Sequence, residues 1–205
     1  MRLTRPILLG AAAILSVAAG PRAGRAADDP AVAPVIRLYA KFEEALKNGA
    51  GDVKGRLDVV GPTLAETFDT PSMVRVAVGP KWKTFTPEQQ GAITEAFGTY
   101  FVTTYANRLS QAAGGKFAIK PASEARGATR VVHTEVSNKD GDQSEVDYVV
   151  GADNKLQDVL LNGNVSEVAS MRGSFAEPLK KGGADGLLNF LRDRTAGMLA
   201  AKPAP

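Results

Sequence analysis

The chain has no cysteine and a single histidine, His133, among its 205 residues. Zinc sites and many catalytic metal sites take several ligands from these two residue types, so their scarcity argues against such a site. Without cysteine the chain also lacks disulfides, and its stability must come from packing alone. The sequence therefore predicts no metal and no cofactor.

Motifs that commonly mark catalysis or nucleotide binding are also missing: there is no G-x-S-x-G, no P-loop and no G-x-G-x-x-G. His133 and Glu135 lie two residues apart, so on a strand they would share one face, as a general base with an orienting carboxylate or as solvated surface residues. Asp140, Asp142 and Glu145 resemble the start of a calcium loop, but the glycine is misplaced and a hairpin turn explains them. The sequence predicts no catalytic residue.

The long apolar run from Ile7 to Ala19 follows the basic residues Arg2 and Arg5. Its length is typical of the core of a secretion signal and too short to span a bilayer. Gly24-Arg25-Ala26 offers small residues at the positions that a signal peptidase recognises, and we expect cleavage after this triplet. Cleavage after Gly20, or an uncleaved anchor, is the alternative. The sequence thus predicts export to the periplasm.

Removal of the predicted signal, residues 1–26, changes the charge of the chain. The full sequence carries 25 basic and 22 acidic residues, but four of the basic residues are arginines of the signal, which leaves 21 against 22 and a net charge of −1. This balance gives no electrostatic reason to expect nucleic acid or an anionic membrane surface as a partner. We expect residues 27–199 to form one domain, followed by a disordered tail, residues 200–205.

Apolar residues at spacings of three and four predict two helices at the start of the mature chain. The first begins at Asp29-Pro30 and ends at Asn48-Gly49. The second covers residues 53–68 and is expected to break or kink at Gly61-Pro62, because proline removes a helical hydrogen bond.

Two further helices have clear start signals. A short one is expected to use Thr70 as its cap and to stop at Gly79. A long one is expected from Pro87 to about Ala112, with Thr86 as cap and Gln89 completing a capping box.

After Gly114-Gly115 the apolar period changes from helical to two, which predicts a meander of antiparallel strands with a hairpin turn at Asn138–Asp142. The four predicted strands are 117–121, 129–136, 144–150 and 156–161, and two helices, 166–180 and 184–199, close the chain around Gly182-Gly183. This layout indicates an α+β domain: a curved four-stranded antiparallel sheet covered by about six helices. Such an arrangement can leave an apolar cavity between the layers.

Residues in both halves carry a family resemblance through their order and spacing. In the first half they are Phe68-Asp69, Met73, Gly79, Trp82, Thr86–Gln90, Phe97 and Tyr105. In the second half they are Val146-Asp147-Tyr148, Asp158-Val159, Gly163, Ser166, Arg172, Phe175, Gly183–Leu188 and Leu191. Together they resemble the MlaC, or toluene-tolerance, family of periplasmic phospholipid-binding proteins over residues 30–199.

Two segments are more similar to one branch of that family. After the last predicted strand the chain reads Asn162-Gly163-Asn164-Val165-Ser166, one residue longer than the usual Glu-Gly-Val-Ser. This segment and the form of Ala77–Trp82 resemble the hopanoid-biosynthesis-associated branch, HpnM.

The resemblance implies a monomeric carrier that holds phospholipid or hopanoid in a pocket between sheet and helices and needs no cofactor. The implied partners are an outer-membrane complex and either an inner-membrane ABC transporter with an MCE-domain subunit or an RND-type exporter. The candidate lipid-binding residues are Met73, Val74, Val78, Trp82, Phe97, Phe101 and Tyr105 on the helices, and Val132, Val136, Val146, Tyr148, Val159 and Leu161 on the strands.

Charged residues leave further alternatives open. Arg75, Lys81 and Lys83 are candidates for contact with a headgroup phosphate, or ordinary surface charges. An enzyme acting on a hydrophobic, steroid-like substrate would need a base in the pocket, with His133, Asp147 and Asp158 as candidates. A non-carrier interaction protein of the envelope would instead have a filled core.

Overall fold

The computed structural model describes residues 29–47 and 51–201. The predicted signal, residues 1–26, and the last four residues of the predicted tail lie outside this part of the chain.

Helices form the first half of the domain, as the periodicity predicts. They are α1 (Ala33–Leu46), α2 (Val53–Thr67), α3 (Thr70–Val78), a 3₁₀ segment (Gly79–Thr84), α4 (Pro87–Arg108) and a second 3₁₀ segment (Leu109–Ala112). The central element is α4, which packs against α2, α3 and the last helix.

The N-termini of α3 and α4 show how far local sequence signals predict the capping residue of a helix. The capping box of α4 is confirmed: Thr86 Oγ1 accepts a hydrogen bond from the Gln89 amide at 3.2 Å, and the Gln89 side chain accepts one from the Thr86 amide at 3.1 Å. The predicted cap of α3 is wrong by one residue. Asp69 is the cap, because its carboxylate reaches the Ser72 amide at 3.1 Å, and Thr70 is already helical.

Helix α2 continues through Pro62, so it is not broken there, and the alternative of a kink stays a prediction. Pro62 and Asp58, whose carbonyl loses its helical partner, are both exposed. Solvent can replace the lost hydrogen bond there, and the helix survives.

Within the described residues the sheet has seven antiparallel strands, where the sequence predicts four. They are β1 (Phe117–Ile119), β2 (Glu124–Arg126), β3 (Thr129–Val132), β4 (Thr134–Ser137), β5 (Gln143–Val150), β6 (Leu156–Leu161) and β7 (Val165–Ser166). The order is β1-β4-β5-β3-β2, with β6 on the other edge of β5 and β7 beyond β6. The short edge strands β2 and β7 carry too few residues for a period to be read.

The predicted second strand is divided at His133 into β3 and β4. Both pieces pair with β5 in one register, with Val132 opposite Tyr148 and Glu135 opposite Glu145. Between these pairs the Asp147 carboxylate accepts a hydrogen bond from the Thr134 amide at 3.2 Å, in place of a ladder bond. The division depends on a side chain from another strand, which periodicity cannot show.

The chain closes with α5 (Glu167–Ala200), which is broken at Gly183. Gly183 has φ 56° and ψ −134°, a backbone conformation that only glycine adopts without strain. The two predicted closing helices are therefore confirmed, joined by this one non-helical residue. Throughout residues 29–47 and 51–201, every helix is too short or too polar to cross a membrane.

Candidate functional site

A cavity of about 430 Å³ lies between the sheet and the helices, beside the C-terminal end of α4. Most of its wall is apolar, and the apolar residues that line it are Tyr39, Phe42, Tyr105, Leu109, Ala112, Phe117, Val136, Val146, Tyr148, Val159 and Leu161. This volume is in the range of small-molecule binding sites, which are about 300–1,000 Å³.

Strand alternation builds the sheet side of the cavity. Val146 and Tyr148 are two residues apart on β5, so both side chains leave the same face of the strand. In the register of the sheet they lie opposite Leu161 and Val159 on β6, which also line the cavity. Two cross-strand pairs thus form one continuous apolar surface.

Aromatic rings close the side formed by α1 and β1. The ring centroid of Tyr39 lies 5.0 Å from that of Phe117 and 5.9 Å from those of Phe42 and Tyr148. The Tyr39 hydroxyl bonds to Thr134 Oγ1 at 2.5 Å, and burial raises the pKa of Tyr39 to about 12. The Tyr39 hydroxyl is therefore protonated. Aromatic contacts hold its ring, and the hydrogen bond to Thr134 holds its hydroxyl.

A charged cluster, Tyr105, Arg108 and Glu167, occupies the opposite wall. Glu167 begins α5 and its side chain is only 6% exposed, yet it accepts a hydrogen bond from the Tyr105 hydroxyl at 2.6 Å and pairs with Arg108. Burial and the adjacent negative charge raise the pKa of Tyr105 well above its usual value. Burial opposes the charge of Arg108, but the Glu167 carboxylate outweighs it and raises the pKa of that guanidinium.

The mouth of the cavity is polar and exposed. The Arg108 side chain is 52% exposed, and Gln111, Asp142 and Ser144 are exposed beside it. Asn138 shapes this rim, since its side-chain oxygen accepts hydrogen bonds from the Asp140 and Asp142 amides at 2.9 and 3.0 Å. Polar groups thus lie at the mouth and along the wall formed by Tyr105, Arg108 and Glu167, and apolar side chains line the rest.

Arg56 holds the helix end that carries Tyr105 and Arg108. This arginine is 5% exposed, and its guanidinium donates to the carbonyls of Ala106 at 2.6 Å and Gly51 at 2.9 Å. Burial lowers the pKa of Arg56. The carbonyls at the end of α4 are therefore satisfied by a side chain from α2.

A family model described as MlaC protein matches residues 37–193. The chain belongs to the MlaC family. A solved structure of a phospholipid-binding protein from Ralstonia solanacearum, in complex with a phospholipid at 1.53 Å resolution, is similar with a TM-score of 0.68 and 27% sequence identity. The similarity covers 83% of this chain and 98% of that one. A comparison with curated proteins gives no match. The family and the α+β fold predicted from the sequence are confirmed.

The structure brings together six of the candidate lipid-binding residues predicted from the MlaC resemblance. Tyr105, Val136, Val146, Tyr148, Val159 and Leu161 all line the cavity. The other seven lie outside its lining: Met73, Val74, Val78, Phe97, Phe101 and Val132 are buried in the core, and Trp82 is half-buried beside Phe85. Met73, Val74, Val78 and Phe97 lie where α3, the first half of α4 and α5 meet, and there helix packs directly on helix.

None of the three predicted headgroup candidates, Arg75, Lys81 and Lys83, lines the cavity. Arg75 donates to the Pro71 carbonyl at 3.0 Å, and Lys81 lies 3.5 Å from the Leu179 carbonyl, both near the N-terminal side of α4. Sequence reasoning missed Arg108, which follows Tyr105 by three residues and so shares its helix face. It also missed Glu167, whose burial depends on where α5 begins.

The three candidate bases of the enzyme hypothesis do not belong to the cavity lining. His133 bonds to Asp147 at 2.8 Å and to Glu124 at 3.1 Å, where the hypothesis paired it with Glu135. Asp158 accepts hydrogen bonds from Ser166 and from the Val168 amide at the start of α5. Within the described part of the chain, no group of three or more potential metal ligands is arranged to hold an ion.

Proposed function

We propose that this chain is a periplasmic lipid carrier that holds hydrocarbon in the cavity and shuttles lipid between the inner and outer membranes. The observation that carries the proposal is an apolar cavity whose charged groups lie at its mouth and along one wall. Lipid in water exposes its hydrocarbon at about 0.8 kcal/mol per methylene, or about 24 kcal/mol for about 30 methylenes. A carrier must offset this cost by burial, which a few hydrogen bonds cannot do.

The similar protein from Ralstonia solanacearum supports the choice of ligand. That protein was solved in complex with a phospholipid, and it shares the fold over most of both chains. The cavity of the present chain lies between sheet and helices and has the apolar wall that acyl chains require.

Arg108 is the group that we assign to a lipid phosphate. Its guanidinium uses Nη1 to pair with Glu167, and half of the side chain is exposed at the mouth. Guanidinium donors match phosphate oxygens in geometry and charge. With the phosphate there, we expect the acyl chain to lie against the apolar lining that includes Tyr148 and Val159.

The branch resemblance leads us to include hopanoid beside phospholipid as cargo. The extra residue that distinguishes this branch falls in the turn between β6 and β7, where Asn162 and Gly163 have φ of 50° and 77°. The corresponding partners are an MCE-domain ABC transporter or an RND-type exporter at the inner membrane, and an outer-membrane complex. We expect a monomer, exported by the signal in residues 1–26.

Lipid analysis of the protein from its native periplasm tests the proposal. We expect an organic extract of the purified protein to contain lipid at about one molecule per chain, and delipidated protein to take lipid from liposomes. An extract without lipid, together with no uptake from liposomes, would overturn the carrier function.

A matched pair of variants locates the binding. Leu161→Trp places a large ring in the cavity and should reduce the bound lipid severalfold. Val76→Trp, at a position on α3 that is 54% exposed and outside the cavity lining, should leave it unchanged. Equal binding by both variants would place the lipid elsewhere.

A further inference from the structure

The 3₁₀ segment that follows α3 lines no part of the cavity, although it holds the only tryptophan of the chain. The Trp82 ring is half-buried, and its centroid lies 6.2 Å from that of Phe85. The side-chain amide of Gln90 donates hydrogen bonds to the carbonyls of Trp82 at 3.0 Å and Phe85 at 3.2 Å. Helix α4 therefore holds the segment in place, while Lys81 and Lys83 on either side of Trp82 are exposed.

Two contacts bring the first half of α5 against this segment. Arg172 Nη2 donates a hydrogen bond to the Val76 carbonyl, near the end of α3, at 2.6 Å. Lys81 Nζ lies 3.5 Å from the Leu179 carbonyl of α5. The end of α3, the 3₁₀ segment and the first half of α5 therefore form one continuous surface. We call this surface the Trp82 face, and it consists of residues 75–84 and 172–181.

Charge is distributed unevenly between the Trp82 face and the rest of the chain. The face holds six of the 21 basic residues and one of the 22 acidic residues of the predicted mature chain, so the remainder is acidic. Its acidic residue is Glu177, whose carboxylate lies 4.0 Å from Lys180 Nζ and 3.8 Å from Lys181 Nζ. Exposed ion pairs of this kind are weak, and both lysine side chains are 79% exposed. The six basic residues, all of them exposed, are Arg75, Lys81, Lys83, Arg172, Lys180 and Lys181.

The net charge of the mature chain conceals this surface. A partner responds to the charges that lie within a Debye length of it, which is about 8 Å at physiological ionic strength. The balance of basic and acidic residues, which gives no reason to expect an anionic partner, therefore describes the whole molecule and not this face.

The residue types of the Trp82 face favour a membrane over an acidic protein as its partner. Protein interfaces are enriched in arginine and depleted in lysine, whereas four of the six basic residues here are lysines. Long exposed lysines can follow headgroups that move within a bilayer, and clusters of about four to eight basic residues are typical of anionic-lipid binding. Tryptophan is enriched at the level of the headgroups, where its ring meets apolar material and its N–H stays near water.

We propose that the Trp82 face docks the protein reversibly on a membrane surface rich in anionic phospholipid. The lysines contact headgroup phosphates, and the Trp82 ring lies among the headgroups. This inference goes beyond the proposed carrier function. No residue of the face lines the cavity, so docking does not depend on what the cavity holds.

Flotation with vesicles tests the docking. The processed protein is mixed, at about 10 mM salt, with vesicles of phosphatidylcholine alone or of phosphatidylcholine with about one-third phosphatidylglycerol. We expect binding to the anionic vesicles to be at least about tenfold tighter, and the difference to disappear at about 1 M salt, where charges are screened. Equal binding to both compositions at low salt would overturn the proposal and leave an acidic protein as the partner of the face.

A matched pair of double variants locates the contact. Lys83→Glu with Lys181→Glu reverses one charge on each element of the Trp82 face and should weaken binding to the anionic vesicles at least about tenfold. Lys54→Glu with Lys120→Glu makes the same change in net charge at exposed positions outside the face, and it should weaken binding less than about twofold. Equal losses in the two folded variants would show that net charge, and not this face, governs binding.

The single tryptophan reports the contact directly. Its fluorescence should shift to shorter wavelength when the anionic vesicles are added, and lipid brominated near the headgroup end of its chains should quench it. Vesicle binding without a shift or quenching would place another surface on the membrane and overturn the proposal. Lipid analysis of the same protein measures the carrier function separately, so failure of docking and failure of lipid binding are distinguishable.

Discussion

The two ends of α4 differ in how the space beside them is filled. At the packed end, where α4 meets α3 and α5, Phe97 is fully buried and its ring lies 6.2 Å from that of Phe175. At the cavity end, where α4 faces the sheet, Tyr105 borders an open volume of about 430 Å³. The residue types are similar, yet one end is a closed core and the other a binding site.

The difference teaches that an apolar stripe alone does not distinguish a filled core from a cavity. At the packed end helices approach α4 closely enough for side chains to interdigitate. At the cavity end an open volume lies beside α4, bordered by the rings of Tyr39 and Phe117 and by the charged cluster of Tyr105, Arg108 and Glu167. The element that faces the apolar stripe of α4 therefore decides whether the space beside it is a filled core or a cavity.

Truncation of a large side chain should give the strongest contrast between the ends. Phe97→Ala should lower the free energy of unfolding by about 3–5 kcal/mol, because it leaves a void in close-packed surroundings. Phe117→Ala at the cavity end should cost about 1 kcal/mol, since that ring is half-buried beside existing open space. Urea unfolding of both variants checks this, and equal losses would break the comparison.

Removal of the arginine that holds the cavity end should have the next largest effect. Arg56→Ala leaves the Ala106 carbonyl without its buried donor and should cost about 2–3 kcal/mol in the free energy of unfolding. Arg56→Lys keeps one donor and should lose less. A loss below about 0.5 kcal/mol for the alanine variant would show that the end of α4 does not depend on this contact.

Enlarging a side chain tests the same difference between the packed end and the cavity end of α4. Val74→Phe at the packed end should cost about 1–3 kcal/mol, because the fully buried site has no room for a ring. Val146→Phe points into the cavity and should change the free energy of unfolding by less than about 0.5 kcal/mol. Thermal unfolding of the two variants would contradict the comparison if Val146→Phe were the more destabilised.

Charge at the mouth should affect binding more than folding. Arg108→Gln should weaken binding of a lysophospholipid about tenfold, equivalent to about 1.4 kcal/mol, through the loss of a charged donor to phosphate. Binding of an uncharged monoacylglycerol should not change. Arg75→Gln at the packed end is the matched control. An equal loss of binding there would contradict the assignment of Arg108 to the lipid phosphate.

The smallest effect is expected from the cap at the start of α4. Thr86→Ala removes the hydrogen bond to the Gln89 amide and should cost about 1 kcal/mol in stability. Lipid binding should be unaffected, because the cavity lies at the other end of the helix. Thr99→Ala, at an exposed position within α4, serves as control and should stay within about 0.5 kcal/mol of the parent.

The features that the sequence predicted correctly depend on neighbouring residues. The capping box at Thr86, the hairpin at Asn138 and the break at Gly183 are each specified within a few positions. The break expected at Pro62 does not occur although proline is also a local signal, because the cost of proline depends on which side of α2 faces solvent. The division of the strand at His133 was missed, because the Asp147 carboxylate that causes it comes from β5.

The amino-acid sequence by itself determined the helix and strand segments, the family, and the apolar character of the residues available for a site, since these follow from periodicity, caps and spacing. Only the tertiary structure decided which of those residues face open space. Met73 and Val159 are both apolar in the sequence, and both are buried in the structure. Met73 packs against neighbouring helices, whereas Val159 lines the cavity. Space between elements belongs to no single segment, so it emerges only when helices and sheet are packed together.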